Sequence, residues 1–207
     1  MKVFIDLGAY GGDTLEMALS YYPNFDKYIG FEPVPDLASL CKKKFSKNSK
    51  VEIANASAGE CDQEVPLYMS FYAKETLGYG KGCSYFAEKT TGHLDKNVFV
   101  MTSMLDFSDY LIKKFNKDDF IVLKSDIEGK EYDLFEHLLE TGAIEYINKI
   151  YCEWHVHKMP KVISKDRHKK LINDLRQRGY KLKGKYKSDD FKEIVQSKTK
   201  KRKNRSK

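Results

Sequence analysis

The segment Ile5-Asp6-Leu7-Gly8-Ala9-Tyr10-Gly11-Gly12-Asp13-Thr14 runs from an apolar strand through a glycine-rich turn into a helix. In α/β proteins that junction brings backbone close to a nucleotide-like ligand. The acids select which ligand. Asp6 and Asp13 flank the turn and would repel a diphosphate, whereas a ligand bearing an ammonium and a sulfonium is welcome beside them. The dinucleotide pattern G-x-G-x-x-G fails, because counting from Gly8 the next two glycine positions hold Tyr10 and Asp13. A phosphate loop fails as well, since no Gly-Lys-Ser/Thr follows. S-adenosylmethionine (AdoMet) is the cofactor that fits. Glu32 closes a second short strand 24 residues beyond Gly8. In a βαβ unit that carboxylate can accept hydrogen bonds from both ribose hydroxyls. The expected cofactor contacts are therefore Asp6, Gly8, Tyr10, Gly12, Asp13, Thr14, Glu32 and Pro33, with Ser57 near the adenine after the third strand and Asp126 near the transferring methyl.

The elements that must position these residues alternate strand and helix, which predicts a parallel, doubly wound α/β sheet. Helices are expected over about 12–22, 35–45, 107–115 and 164–178, and after Gly129 up to Gly142. Strands are expected at 3–7, 27–32, 51–54, 120–123 and 147–154, with the last two at 180–186 and 191–196. The apolar run Phe120-Ile121-Val122-Leu123 reads as buried on both faces. Residues 65–101 break the rhythm. Val65–Met69 and Val98–Met101 look like an antiparallel pair around a long segment carrying Tyr72, Tyr79, Ser84, Tyr85, Phe86 and His93. Loops of that length are usually functional or disordered.

The formal net charge of +7 resides in one place. Residues Ser197–Lys207 hold seven Lys/Arg and no acid, which leaves 30 basic against 30 acidic residues in the remainder. The reading is a neutral domain over 1–196 and a basic tail over 197–207 with nothing to bury. Such a tail suits nucleic acid or an anionic surface, or simply solubility. The four cysteines form no C-x-x-C pair, which argues against a zinc site and suits a reducing, cytoplasmic setting. No stretch is long and apolar enough to span a membrane. Homo-oligomerisation is left open.

Five blocks resemble the FkbM methyltransferases, in order and at fitting spacing: Asp6–Thr14, Phe31–Pro35, Thr102–Asp106, Leu123–Glu131 and Ile150–His155. The resemblance covers about Val3 to His157. It implies a Rossmann-like class I methyltransferase fold: a mostly parallel seven-stranded sheet with helices on both faces. It further implies AdoMet-dependent O-methylation of a sugar, a glycan or another small-molecule hydroxyl. The sequence opens on the first strand, so the segment 68–96 or a partner subunit is expected to cover the acceptor. The basic tail departs from the family pattern.

Ligands of open α/β sheets bind beyond the carboxyl ends of the strands, where Asp6, Glu32, Asp126 and Glu153 should gather. Asp126 follows a strand next to the first and is the expected catalytic residue. A hydroxyl is a poor nucleophile until its proton leaves. Asp126 either takes that proton or helps hold a divalent metal that lowers the hydroxyl pKa. Glu153, His155 and His157 alternate on an expected strand and would share a face. Asp126, Glu153 and His155 thus make a catalytic set or an oxygen/nitrogen site for Mg²⁺ or Mn²⁺. Two other functions stand behind the leading one. An RNA ribose 2′-O-methyltransferase would use the basic tail, although the body lacks the basic stripe RNA binding generally wants. A non-catalytic AdoMet-binding subunit is opposed by the intact acids and glycines.

Overall fold

A computed structural model of the chain describes residues 1–70, 82–92 and 94–182. Strand β1 (Lys2–Leu7) leads through helix α1 (Asp13–Tyr21) to β2 (Lys27–Phe31), and helix α2 (Pro35–Lys44) leads on to β3 (Val51–Ala54). The chain then forms β4 (Ser57–Gly59), β5 (Gln63–Ser70) and β6 (Leu94–Asp106). Helix α3 (Phe107–Lys114), β7 (Phe120–Ser125), α4 (Glu131–Thr141), β8 (Ile147–Cys152) and α5 (Lys165–Gln177) complete it.

The central sheet is parallel, in the order β3-β2-β1-β7-β8. The order reverses beside β1, which is where open α/β sheets leave a crevice. Side-chain alternation sorts the strands between two cores. Val3, Ile5 and Leu7 of β1 join Ile121 and Leu123 of β7 on one face, covered by Phe107, Leu111, Leu134, Phe135 and Leu138 from α3 and α4. Phe4 and Val122 point to the other face, against Leu15 and Ala18 of α1 and the rings of Tyr22, Phe25 and Tyr28. Each such fully buried side chain contributes about 1.5–3 kcal/mol. Trp154 joins the first core at ring distances of 5.6 Å from Tyr132 and 5.5 Å from Phe135. It is a packing residue and not an acceptor platform.

The helices end where their sequences predict. Pro35 occupies the first turn of α2, Ser164 caps α5 by accepting the Arg167 N–H, and Gly142 closes α4 in the left-handed region at φ 75°. The expected hairpin forms. β5 and β6 pair antiparallel with Leu67 opposite Val100, and β4 adds to β6 in parallel to make a second, three-stranded sheet. β4 lies in a stretch that reads as a loop in the sequence.

Two expectations change. Among the described residues the central sheet has five strands. The expected final pair falls largely on 183–207, which with the basic tail, Tyr72, Tyr79 and His93 lies outside the described residues. β8 also stops at Cys152, so Glu153, His155 and His157 do not alternate along a strand. Pairing with β7 ends at Ser125–Cys152, and beyond it the chain turns into a short 3-10 helix at Val156–Lys158. Among the described residues no helix is long and apolar enough to cross a membrane.

Candidate active site

A cleft opens at the carboxyl ends of β1, β2 and β7, beside the start of β4. The turn after β1 forms one wall. Its first glycine has φ 81°, and a Cβ there would stand 2.1 Å from the Asp126 carbonyl oxygen. Only Gly8 lets the turn pass so close to the end of β7. Tyr10 follows with φ 49°, an uncommon conformation for a bulky residue. Glu32 pins this wall: one oxygen accepts the Tyr10 N–H at 2.7 Å and the other the Val34 N–H at 2.9 Å. Each oxygen keeps a second lone pair for a ligand. Burial pushes the Glu32 carboxyl up from its ordinary range, and those two N–H groups work against the rise.

Of the expected cofactor contacts, Gly8, Tyr10, Asp13 and Thr14 line the cleft, as do Glu32, Pro33, Ser57 and Asp126. Asp6 and Gly12 do not. Gly12 caps α1 from below, where a Cβ would strike the Phe45 ring at 2.6 Å. Asp6 is sealed beneath the floor with no exposure. Strand register sets it beside Lys124, and the two form an ion pair at 2.8 Å. Burial pushes the Asp6 carboxyl up and Lys124 opposes the rise. Lys124 also donates to the Gly8 carbonyl at 3.0 Å. The pair therefore holds the glycine turn from below. The expectation that Asp6 meets a cationic ligand is corrected on that ground.

Asp126 stands at the cleft floor, its N–H bonded to the Leu7 carbonyl across β1. Its side chain is 28 % exposed, so a ligand in the cleft can reach it. Burial, foremost, pushes its carboxyl above the ordinary range. The loop after it is held by Glu131, at the start of α4. Glu131 accepts the Ile127 and Gly129 N–H groups and, at 2.8 Å, the His155 Nδ1–H. That network turns Glu128 inward with φ 52°. Lys89 and Lys158 pair with Glu128 at 2.9 and 3.1 Å.

His155 is fully buried. Its Nε2 faces Asp126 at 3.6 Å, Glu128 at 3.5 Å and Glu153 at 3.6 Å, each beyond normal hydrogen-bond reach. Burial disfavours a charged imidazole, but the surrounding carboxylates, Glu131 first, outweigh it and push the His155 pKa up to about 10. The residues expected to act together thus do gather, by loop geometry and not by strand alternation. His157 is exposed, its ring stacked 6.5 Å from that of His155 and outside the carboxylate cluster. Glu128 completes the cluster more closely than the expected Glu153: ligand atoms of Asp126, Glu128 and His155 all lie within 4.8 Å of one another. Lys89 carried no sequence signal. Glu131 carried a weak one, an acid two residues past Gly129.

The methyltransferase FkbM domain model matches residues 6–182, from the glycine turn to beyond α5. No curated protein matches the chain. Among solved structures, a crystal structure of methyltransferase FkbM from Methylobacillus flagellatus KT is similar at 14 % identity with a TM-score of 0.47. The match covers 78 % of this chain and 39 % of that one, so the chain spans about two-fifths of its neighbour's length. On the family match over most of its length, this chain belongs to the FkbM methyltransferase family.

Proposed function

We propose that this chain is an AdoMet-dependent O-methyltransferase acting on a hydroxyl of a sugar or other small molecule. The observation that carries this reading is the charge of the cleft. Among the described residues, Asp13, Glu32, Asp126 and Glu128 line it, against one lysine, Lys124, that is engaged by Asp6 and Gly8. Such a cleft repels a diphosphate and favours a cationic ligand. Asp13 in the first turn of α1 opposes phosphate at that helix N-terminus, where dinucleotide sites hold it.

The fit extends to the parts of the ligand. The spare lone pairs of Glu32 suit a ribose diol, Ser57 and Ala58 flank the adenine end, and the backbone from Gly8 to Tyr10 runs along the amino-acid end. When bound, AdoMet supplies a methyl group on a sulfonium leaving group. The chain's task is then to align an acceptor oxygen and take its proton. Asp126 is placed for that: it is accessible from the cleft, and its raised pKa makes it a stronger base than an exposed carboxylate. Tyr85 lines the same cleft with its hydroxyl 3.0 Å from Thr102 Oγ1. It offers a ring edge to an acceptor.

Calorimetry with AdoMet, and a labelled-methyl screen of glycans, small alcohols and RNAs, test the proposal. Glu32→Ala should weaken AdoMet binding by 10-fold or more, since it loses both ribose contacts (about 1.5–3 kcal/mol for hydrogen bonds to a charged group). Asp126→Asn should lower kcat at least 100-fold while AdoMet affinity changes little. Absence of AdoMet binding to the folded wild-type chain would refute the reading. Transfer to RNA alone would move the acceptor to the nucleic-acid alternative.

A further inference from the structure

From the buried, unpartnered face of His155, we infer that Asp126, Glu128 and His155 form a site for a hard divalent cation of the Mn²⁺ or Mg²⁺ class, beside the methyl-transfer cleft. The observation is an orphaned atom. His155 Nε2 is buried and makes no hydrogen bond, yet it points into a space bounded by carboxylate oxygens. A buried polar nitrogen without a hydrogen bond is costly. The other ring nitrogen is already fixed, because Nδ1–H donates to Glu131, itself fully buried and tied to two backbone N–H groups. This is the arrangement that orients a metal-ligating imidazole: a second carboxylate holds Nδ1–H and turns Nε2 toward the ion, which takes the place of the Nε2 proton.

The distances fit a cation. Ligands about 2.1 Å from an octahedral ion stand about 3 Å apart when adjacent and about 4.2 Å apart when opposite. The Nε2 separations of 3.6 Å from Asp126 and 3.5 Å from Glu128 fall between these values, and the three ligand atoms, within 4.8 Å of one another, need only draw in slightly to surround one ion. Glu153 stands 3.6 Å from Nε2 but outside that common set. The charge fits as well. Asp126, Glu128, Glu131 and Glu153 surround the imidazole, and Lys89 and Lys158 supply the ammonium groups. Once the ion has displaced the Nε2 proton, two negative charges remain, which one divalent cation balances. Three protein ligands of mixed oxygen and nitrogen leave positions open for a hydroxyl from the cleft, which Asp126 and Glu128 also line. Binding of the cation stands independently; its role in activating an acceptor hydroxyl rests on the methyl-transfer reading.

Titration of the full chain with MnCl₂, followed by the electron paramagnetic resonance of free Mn²⁺ without AdoMet, tests the site. The expected result is one saturable site per chain below about 1 mM, displaced by Mg²⁺. Glu128→Gln should weaken it 10-fold or more without unfolding the chain, since Glu128 is partly exposed. Lys158→Met should tighten it, because Lys158 competes for the same Glu128 oxygen; a merely structural cluster would not respond so. No saturable binding to chain that still binds AdoMet would overturn the inference, as would equal binding by wild type and Glu128→Gln. Mn²⁺ binding without AdoMet binding would keep the cation site and remove the methyl-donor reading.

Discussion

Asp6 and Lys124 show how a single buried charge can serve a site without touching its ligand. Side-chain exposures of 0 % and 2 % leave neither group any water, so each depends on the other. Removing one partner strands the second, at about 3–5 kcal/mol. Asp6→Ala should therefore lose about that much in urea denaturation, while the double change Asp6→Leu with Lys124→Met should cost less than either single one. Asp6→Asn, which keeps an acceptor for Lys124, should leave AdoMet affinity nearly unchanged. A 10-fold loss of affinity at undiminished stability would instead put Asp6 in contact with the ligand. Half of this pairing was legible in the sequence. Alternation places Asp6 on the face of Phe4, and Lys124 on the face of Val122. Only the register between strands more than a hundred residues apart sets the two side by side, and neither segment encodes that register. The same holds for Lys89 on Glu128, a contact made by a loop against a turn.

At the scale of elements, α5 is held to the domain by few apolar residues. Leu171 and Leu175 are its buried positions, Ile172 packs beside them half-buried, and His168 bonds the Tyr132 hydroxyl. Arg167 reaches α4, donating from Nη2 to Asp133 and Glu136 at 2.6 Å each. Burial would raise the Asp133 carboxyl, but Lys130 and Arg167 outweigh it and hold the pKa below the usual range. A depressed carboxylate stabilises the fold above its unfolded pKa, near 4. That contribution is lost as the pH falls through the lower folded value. Arg167→Met should thus cost about 1–2 kcal/mol at pH 7 in urea denaturation, and the gap to wild type should close below about pH 4. A gap that stays constant from pH 7 to pH 3 would mean that the arginine acts through its stem and not its charge. Helix α5 was readable because its cap, its spacing and its closing glycine all agree. β4 was not, since three residues are too few to show a period and the strand exists through its pairing with β6. The stretch after Cys152 misled for the opposite reason. Glu153, His155 and His157 do alternate, but β7 offers no partner beyond Ser125, and an unpaired run does not stay a strand. The cluster was right in membership for Asp126 and His155 because both lie just past the ends of neighbouring strands, whatever the path between.

For the whole molecule, the cleft joins what the chain keeps apart. One wall belongs to the central sheet through Gly8 and Glu32, and the other to the second sheet through Ser57 and Leu67. A ligand bound to both walls stabilises the fold by linkage, about 2.7 kcal/mol at a concentration 100 times its Kd. For a domain of this size that is a rise in Tm of about 5–11 °C. The charge distribution says which part of the chain should not matter to it. Outside Ser197–Lys207 the 30 basic and 30 acidic residues balance, and the seven basic residues of that segment carry the whole excess. The proposed recognition of AdoMet would depend on local acids at strand ends, whereas attraction to a polyanion grows with the number of cations presented together. Deleting 197–207 should accordingly leave the AdoMet-induced rise in Tm intact. In the same preparation it should abolish whatever RNA affinity falls steeply between 50 and 200 mM salt. A truncated chain that still binds RNA with an unchanged salt slope would mean that the folded body, despite its balanced charge, carries the polyanion surface.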